Sequence, residues 1–390
     1  MVIALYGGSF NPPHLGHIDA ARVSARELGA DKLILLPAAV PPHKALAEHS
    51  PEPAERLEMT RLAAELIPGS EVSSYEIDLG DTPSYTANTA EHFRKLYPDA
   101  RIFFLIGTDM LLSFEEWYSF EKIFSLVELA VFPRGEGELG RIREFAGYLT
   151  ERYGARITVI DKCPLPMASS DVRSLLPKRK GRELLPDKVY ARIIQKRHYG
   201  AKPELQWLRE QAKTLLKPKR VPHVLGCEAE AVRLAQRWGE DVGDAAEAGI
   251  LHDITKKLEK PEQLLLCGKY GIMVDAIEKE SSKLLHAKTG AFLARERFGV
   301  SERVRDAIYW HTTARPGMTL LEKIIYMADY IEPNRDFEGV EKLRDLAYAD
   351  LDEAMILGLE MSIEDIRSYG VEPHPRSREA LEWFLSRRER

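Results

Sequence analysis

The chain has 390 residues, of which 44% are hydrophobic and 30% are charged, and its formal net charge is −6. This length favours two globular domains, and the negative charge argues against a general nucleic-acid-binding protein. Three scattered cysteines (Cys163, Cys227 and Cys267) form no CxxC pair, which fits a reducing compartment. Neither a signal peptide nor a run of transmembrane length is evident, so we expect a cytoplasmic protein with no membrane partner.

The first strongly patterned stretch runs from Leu5 to His17 and reads LYGGSFNPPHLGH. It follows an apolar run and precedes a helical pattern, which predicts a strand, a glycine turn and a helix start. At such a junction backbone N–H groups and the helix dipole favour a phosphate, which Gly7 and Gly8 let the backbone approach. His14 and His17 can both face that anion. The simpler alternative is a helix-capping turn with packing histidines, but the combined motif favours phosphate binding.

Further apolar segments predict buried strands at residues 32–37, 101–106, 126–132 and 157–160, and residues 71–77 alternate like another strand. Helical patterns lie between these strands. Strands that alternate with helices predict a doubly wound parallel α/β sheet with right-handed crossovers. The loops beyond the carboxyl ends of its strands would line one ligand crevice.

Candidate ligand residues lie in these loops. Lys44 follows a Pro-Pro-His sequence after the second strand, where its charge is either a ligand contact or solvated. Asp109 follows a buried strand and is either a nucleotide contact or a helix cap. Ser169 or Ser170 is predicted to N-cap a helix, so that N–H groups, hydroxyls and Arg173 converge on an anion.

Nearly all of the first 200 residues resemble the nicotinate-nucleotide adenylyltransferases, a family of the HxGH nucleotidyltransferase superfamily. Besides the opening motif, the likeness rests on Ser84-Tyr85-Thr86, on Gly107-Thr108-Asp109, on Trp117 and on Arg134. It also rests on the sequence MASSDVR at residues 167–173, which departs from the family's usual ISSTxIR but keeps both hydroxyls and the arginine. The resemblance implies a Rossmann-like domain over residues 1–200 that transfers AMP from ATP to nicotinate mononucleotide, releasing pyrophosphate and forming deamido-NAD.

The resemblance also implies roles for individual residues. No covalent enzyme intermediate is needed, so catalysis would consist of positioning and charge stabilisation, with Mg²⁺ bridging ATP oxygens. The implied catalytic residues are His14, His17, Lys44 and Arg173. The implied nucleotide contacts are Gly7, Gly8, Ser9, Phe10, Gly107, Asp109, Ser169 and Ser170. The implied contacts of the acceptor substrate are Tyr85, Thr86, Trp117 and Arg134, with Trp117 as a stacking surface.

From about residue 200 the strand-like runs disappear and helical periodicity dominates, which predicts an all-α domain over residues 201–390. Four histidines and two aspartates lie on or at the ends of its apolar helices. One such histidine is more often a satisfied polar group, but six such residues favour a metal site. Imidazole and carboxylate ligands without cysteine suit Fe, Mn, Co or Mg better than structural zinc. The six residues are His223, His252, Asp253, His286, His311 and Asp329.

This H…HD…H…H…D pattern resembles the HD-domain phosphohydrolases, and most closely the bacterial branch that hydrolyses diadenosine tetraphosphate symmetrically to two ADP. The likeness covers about residues 205–385. It implies a two-metal centre, usually assigned to iron, that can activate a bridging hydroxide. Its implied ligands are His223, His252, Asp253 and Asp329 for one ion, and His286, His311 and the bridging Asp253 for the other.

Together the resemblances imply a bifunctional enzyme whose partners are ATP, nicotinate mononucleotide and diadenosine tetraphosphate, without nucleic acid. Lys256 and Lys257 after the HD pair are either phosphate contacts or solvated lysines, and Lys283 and Arg315 are weaker candidates. Three alternatives stay open: an HD domain that senses a nucleotide without turnover, one that cleaves a dNTP or cyclic nucleotide, and a transferase acting on nicotinamide mononucleotide or phosphopantetheine. Homo-oligomerisation also stays open.

Overall fold

The computed structural model describes residues 1–42, 46–135 and 137–388. The chain forms two compact units, Met1–Lys202 and Pro203–Arg390. None of the described helices is long and apolar enough to cross a membrane.

The first unit contains a six-stranded sheet in the order β3-β2-β1-β4-β5-β6, and every neighbouring pair of strands is parallel. The predicted doubly wound α/β fold is therefore confirmed. The strands are β1 (Val2–Gly8), β2 (Lys32–Pro37), β3 (Ser70–Val72), β4 (Arg101–Gly107), β5 (Glu128–Phe132) and β6 (Ile157–Val159). The helices are α1 (Leu15–Glu27), α2 (Pro53–Ala64), α3 (Tyr75–Asp78), α4 (Thr86–Leu96), α5 (Thr108–Leu112), α6 (Phe120–Leu126), α7 (Leu139–Tyr153), α8 (Ser169–Leu175) and α9 (Asp187–Lys196).

The register of the sheet brings the loops of the first unit to one edge. Gly8 at the end of β1 lies opposite Pro37 at the end of β2, and Gly107 at the end of β4 lies opposite Phe132 at the end of β5. The central strands are apolar on both faces because helices cover both sides of the sheet. The loops that follow these four strands therefore start side by side.

Two predicted strands differ from the observed ones. Residues 71–77 alternate in polarity, but pairing with β2 ends at Val72, and α3 follows as one helical turn. This turn buries the Glu76 carboxylate, which accepts a hydrogen bond of 2.7 Å from the Thr89 hydroxyl. Leu126, predicted to start a strand, instead ends α6, and its carbonyl oxygen accepts a hydrogen bond of 2.6 Å from Arg94.

The second unit is helical throughout its described residues, as predicted. Its helices α11 and α12 pack closely because Gly249 carries no Cβ, which would lie 2.8 Å from the Cα of Glu228. The helices are α10 (Leu205–Leu215), α11 (Val221–Trp238), α12 (Val242–Leu251), α13 (Lys260–Tyr270), α14 (Ala276–Glu280), α15 (Ser282–Phe298), α16 (Glu302–Trp310), α17 (Leu320–Ile331), α18 (Val340–Ala349), α19 (Leu351–Ser368) and α20 (Pro375–Arg388).

Candidate active sites

The two histidines of the opening motif lie together at the start of α1. His14 is the N-cap residue, and its backbone N–H donates a hydrogen bond of 3.2 Å to Nδ1 of His17. The two imidazole rings are 3.7 Å apart between centroids. Gly16 lets residues 165–167 approach, because a Cβ there would lie 2.9 Å from the Cβ of Met167 and 3.0 Å from the carbonyl oxygen of Leu165. The two sequence motifs of this unit are thus in direct contact.

Both histidines are electrically neutral near pH 7. Burial, assisted by the charge of Arg134, lowers the pKa of His14 to about 4. Burial also lowers the pKa of His17 well below its ordinary value, with smaller contributions from His14 and Arg134. A neutral imidazole still carries one N–H donor, so each ring can donate a hydrogen bond to a phosphate oxygen without adding charge.

The second motif holds the first through hydrogen bonds. The prediction that Ser169 or Ser170 caps the helix was wrong, because Ala168 is the N-cap residue of α8 and no side chain caps it. The Ser169 hydroxyl instead donates a hydrogen bond of 3.1 Å to the carbonyl oxygen of Pro12. Arg173 likewise donates one of 2.6 Å to the carbonyl oxygen of Asn11. These side chains therefore fix the backbone just before His14, while the Ser170 side chain is exposed.

A second polar group lies where β4 and β5 end. Arg134 Nε is 3.1 Å from Asp109 Oδ1, and a Cβ on Gly107 would lie 2.6 Å from that same nitrogen. The glycine thus provides the space that the guanidinium occupies. Glu138, which sequence reasoning missed, accepts hydrogen bonds from the Thr108 hydroxyl and from the Arg134 backbone N–H. No local sequence motif identifies Glu138, because only the fold brings Thr108 to its carboxylate.

The predicted acceptor-binding residues lie at the start of α4 and after α5. Tyr85 is the N-cap residue of α4, Thr86 is the first residue of that helix, and the Tyr85 ring lies 4.5 Å from that of Tyr118. Trp117 is only 5% exposed and stacks on Phe114 with 4.7 Å between ring centroids. The structure thus places Trp117 in the apolar core and not on an open surface. Tyr118, which sequence reasoning missed, is 56% exposed.

The remaining predicted residues of this unit lie at the end of β1 or outside the described chain. Gly7 and Gly8 are the last residues of β1, and Ser9 follows directly. Phe10 is buried with a φ of 43°, and its ring lies 3.4 Å from the position of a Cβ on Gly8. Lys44 lies outside the described residues.

Sequence reasoning also missed a buried arginine beneath these loops. Arg56 on α2 has no exposed surface. Its guanidinium donates hydrogen bonds to the carbonyl oxygens of Ser9 (2.9 Å), Ala38 (2.5 Å) and Ala39 (2.8 Å). Among the described residues no carboxylate pairs with it. Arg56 therefore ties the loop after β1 to the loop after β2.

In the second unit the six predicted metal ligands converge. His223 Nε2 lies 3.2 Å from His252 Nε2 and 3.0 Å from Asp329 Oδ1. Asp253 Oδ2 lies 3.8 Å from the first of these nitrogens and 3.5 Å from the second. These four side chains thus surround one point, although they come from three separate parts of the chain.

The other oxygen of Asp253 faces the remaining two histidines. Asp253 Oδ1 lies 3.0 Å from His286 Nε2 and 3.9 Å from His311 Nε2. The two histidine nitrogens are 3.1 Å apart. Asp253, fully buried, therefore stands between two groups of potential ligands, with one carboxylate oxygen towards each.

Hydrogen bonds to backbone carbonyl groups orient two of these histidines. His252 Nδ1 is 2.8 Å from the carbonyl oxygen of Gly249, and His311 Nδ1 is 2.6 Å from that of Ile308. A carbonyl oxygen only accepts, so each Nδ1 is the donor and each Nε2 faces the cluster. Imidazole nitrogens and carboxylate oxygens that converge in this way suit a cation, which would displace the hydrogen from any Nε2 that carries one.

The charges of the cluster point to the same conclusion. Burial opposes ionisation of Asp253, but His252 and its other neighbours hold the pKa of this carboxyl well below its ordinary value. Burial likewise opposes ionisation of Asp329, whereas its hydrogen bond with His223 keeps its pKa well below the ordinary value. Two ionised carboxylates among imidazoles match the nitrogen and oxygen ligands that divalent iron or manganese accepts.

Three cationic side chains adjoin this cluster, and sequence reasoning missed two of them. Arg220 Nε donates a hydrogen bond of 2.5 Å to Asp253, and an Arg335 N–H donates one of 2.7 Å to Asp329. Lys256, the predicted candidate, has its Nζ 3.5 Å from Asp253 Oδ1. All three are partly exposed, so they lie between the buried cluster and solvent.

The other predicted lysines and arginine of this unit lie elsewhere. Lys257 donates a hydrogen bond of 2.9 Å to the carbonyl oxygen of Thr214. Arg315 forms an ion pair of 2.8 Å with the buried Glu322. Lys283 is exposed on α15. The structure thus brings Lys256, but not these three, to the cluster.

Comparison with known proteins identifies both parts of the chain. A cytidylyltransferase-like family model matches residues 5–175, and an HD-domain model matches residues 220–334. A protein of Mycoplasma pneumoniae with the provisional name nicotinate-nucleotide adenylyltransferase/Ap4A hydrolase is 30% identical over 335 residues, which cover 86% of this chain and 89% of that protein. The chain belongs to this adenylyltransferase/Ap4A hydrolase family.

Two shorter relatives each match one part of this chain. The symmetrical bis(5'-nucleosyl)-tetraphosphatase of Bacillus subtilis is 37% identical over 183 residues, which cover 46% of this chain and 98% of that protein. A protein of Idiomarina loihiensis with the provisional name nicotinate-nucleotide adenylyltransferase is 33% identical over 211 residues, covering 51% of this chain and all of that protein. These matches confirm both predicted resemblances.

Proposed function

We propose that this chain is a bifunctional enzyme. Its first unit transfers AMP from ATP to nicotinate mononucleotide, and its second unit hydrolyses diadenosine tetraphosphate symmetrically to two ADP. The observation that carries the proposal is the presence of two separate polar clusters in one chain. One surrounds His14 and His17, the other surrounds Asp253, and the family relatives bear names for both activities.

In the transferase reaction the phosphate of nicotinate mononucleotide attacks the α-phosphorus of ATP, and pyrophosphate leaves. Neutral His14 and His17 donate hydrogen bonds to the α-phosphate oxygens and so stabilise the charge that develops there. Arg134 supplies the neighbouring positive charge, and Mg²⁺ accompanies ATP. Ser169 and Arg173 keep the loop before His14 in position through Pro12 and Asn11.

For the hydrolase reaction the residues around Asp253 would hold a metal centre, which we propose to be iron. His223, His252 and Asp329 complete one set of ligands, and His286 and His311 complete the other. Such a centre would supply an activated water molecule and would stabilise charge on the phosphate oxygens.

The basic side chains of the second unit then hold the substrate. Arg220, Lys256 and Arg335 lie on the solvent side of the cluster, where their charges bind the polyphosphate.

Product analysis of the purified chain tests the proposal. With ATP and Mg²⁺ we expect deamido-NAD from nicotinate mononucleotide, and much less product from nicotinamide mononucleotide or phosphopantetheine. With iron-loaded protein and diadenosine tetraphosphate we expect ADP as the sole nucleotide product. Binding of diadenosine tetraphosphate without turnover would instead show a nucleotide sensor, and cleavage of only a dNTP or cyclic nucleotide would refute the proposed hydrolase substrate.

A further inference from the structure

Glu332, directly after α17, is a buried carboxylate in contact with one of the clustered histidines. It is 1% exposed, and its Oε1 lies 3.0 Å from Nδ1 of His223. Its Oε2 accepts hydrogen bonds from the backbone N–H of Asn334 (2.7 Å) and from that residue's side-chain amide (2.8 Å). Both oxygens of Glu332 therefore have donors within the protein.

This contact places a hydrogen on Nδ1 of His223 and leaves Nε2 as the nitrogen available to a cation. A carboxylate oxygen accepts hydrogen bonds, so in this contact Nδ1 is the donor. Nε2 then faces the cluster, 3.0 Å from Asp329 Oδ1. In the described part of the chain, His223 is the one histidine of the cluster whose Nδ1 faces a carboxylate. His252 and His311 face backbone carbonyl oxygens, and Nδ1 of His286 has no hydrogen-bond partner among the described residues.

Gly226 provides the space that Glu332 occupies. It lies within α11, one turn after His223, and a Cβ there would be 2.3 Å from Oε2 of Glu332 and 2.9 Å from the side-chain nitrogen of Asn334. Glycine inside a helix is less favourable than alanine. Its φ lies outside the left-handed region, so close approach of the carboxylate is the reason for a glycine here.

The turn that carries Glu332 is itself fixed. Arg344 on α18 donates hydrogen bonds to the carbonyl oxygens of Ile331 (2.9 Å), Glu332 (3.0 Å) and Arg335 (2.9 Å). The Asn334 side chain also donates one of 3.2 Å to Pro222 at the start of α11. The carboxylate therefore meets the histidine in one defined geometry.

We propose that Glu332 is a positioning residue of the metal centre, and that Gly226 provides the space for it. Its carboxylate holds the His223 ring with Nε2 towards the cluster and makes that nitrogen a stronger electron donor. The inference rests on the proposed function in one respect, namely that the cluster binds metal. It adds a residue outside the six ligands whose loss weakens metal binding without removing a ligand.

Metal titration tests the role of Glu332. Metal-free full-length wild type and Glu332→Gln are titrated with Co²⁺ and followed by calorimetry and by visible absorption. Removing a residue that hydrogen-bonds to a metal ligand typically lowers metal affinity roughly 10- to 100-fold. We expect a decrease of this size for Glu332→Gln and for Gly226→Ala. The absorption bands of bound Co²⁺ should also shift, because the donor strength of one ligand changes.

Two matched variants serve as controls. Glu228→Gln removes another buried carboxylate of α11, one that pairs with Arg209 at 2.8 Å. Gly268→Ala adds a methyl group within α13, where no atom lies within 4 Å of the new Cβ. Both should bind Co²⁺ like the wild type, and transferase activity should be unchanged in all four variants.

The outcomes separate the inference from the proposed function. Wild-type affinity and spectrum in Glu332→Gln would overturn the positioning role. Absence of Co²⁺ binding by the wild type would instead overturn the proposed metal centre. Should Glu332→Gln fail to fold, Glu332→Asp replaces it, since the shorter side chain withdraws the carboxylate from Nδ1 of His223. Weaker Co²⁺ binding then supports the role, and unchanged binding overturns it.

Discussion

Replacing Arg56 by methionine tests how the loops of the transferase site are held. The guanidinium donates three hydrogen bonds, of 2.5 to 2.9 Å, to carbonyl oxygens in the loops after β1 and β2. Methionine fills similar space but leaves those buried acceptors without this donor. At the lower end of the usual range, about 1 kcal/mol for each buried acceptor, the loss is roughly 3 kcal/mol.

Native-state hydrogen exchange measures that loss locally. A local destabilisation of about 3 kcal/mol accelerates exchange on the order of 100-fold, and we expect this for peptides from β1 and β2. Peptides from the second unit should exchange as in the wild type. Transferase kcat/KM should fall at least about ten-fold, because Ser9 belongs to the loop that precedes His14.

Arg61→Met is the matched control, since Arg61 lies on the same helix and its half-exposed side chain pairs with Glu58 at 3.7 Å. Such a surface pair contributes little stability, so the free energy of opening derived from hydrogen exchange should change by less than about 1 kcal/mol. Equal exchange of β1 and β2 peptides in Arg56→Met and Arg61→Met would refute the reasoning.

Three further predictions concern both units. Gly16→Ala should destabilise the first unit by about 1–3 kcal/mol, measured by hydrogen exchange, because the new Cβ would lie too close to Met167 Cβ and to the carbonyl oxygen of Leu165. Gly147→Ala is the control, and it should be neutral or stabilising because the space around Gly147 is open. The pKa of His14 is lower in the folded chain than in the unfolded chain, so the unfolded chain binds more protons between about pH 6.5 and about pH 4. The free energy of unfolding of this unit should therefore fall as the pH drops through that range, and it should fall less steeply in His14→Asn. Asp253→Asn should lower the metal content measured by elemental analysis, whereas replacing His92 of the first unit, whose ring stacks on Tyr75, by alanine should leave it unchanged.

The elements that could be predicted are those whose signals are local in the sequence. The apolar runs of β1, β2 and β4 are long and buried on both faces, so they identify a parallel sheet without further information. The stretch from Leu5 to His17 is contiguous, and its spacing alone brings His14 and His17 together. Apart from the adjacent His252 and Asp253, the six metal ligands are far apart in the chain. Their residue types on apolar helices favour a metal site, and the resemblance of their order to a known family assigns them to two ions.

The elements that could not be predicted depend on partners distant in sequence. Ser169 looks like a helix cap, but the fold offers it the carbonyl oxygen of Pro12, which no local pattern reveals. Trp117 looks like a stacking surface, yet the core around Phe114 buries it. The same holds for Arg56 and Glu332, because a single buried charge has no periodicity and its role follows only from the groups it contacts.

The central claim, that two independent active sites share this chain, is tested most directly by a pair of variants in one assay. Wild type, His14→Ala and Asp253→Ala, each given Mg²⁺ and iron, are supplied with ATP and nicotinate mononucleotide in one sample and with diadenosine tetraphosphate in another. We predict that His14→Ala loses formation of deamido-NAD and keeps release of ADP from diadenosine tetraphosphate, whereas Asp253→Ala shows the reverse. Loss of both activities in either folded variant would contradict the account.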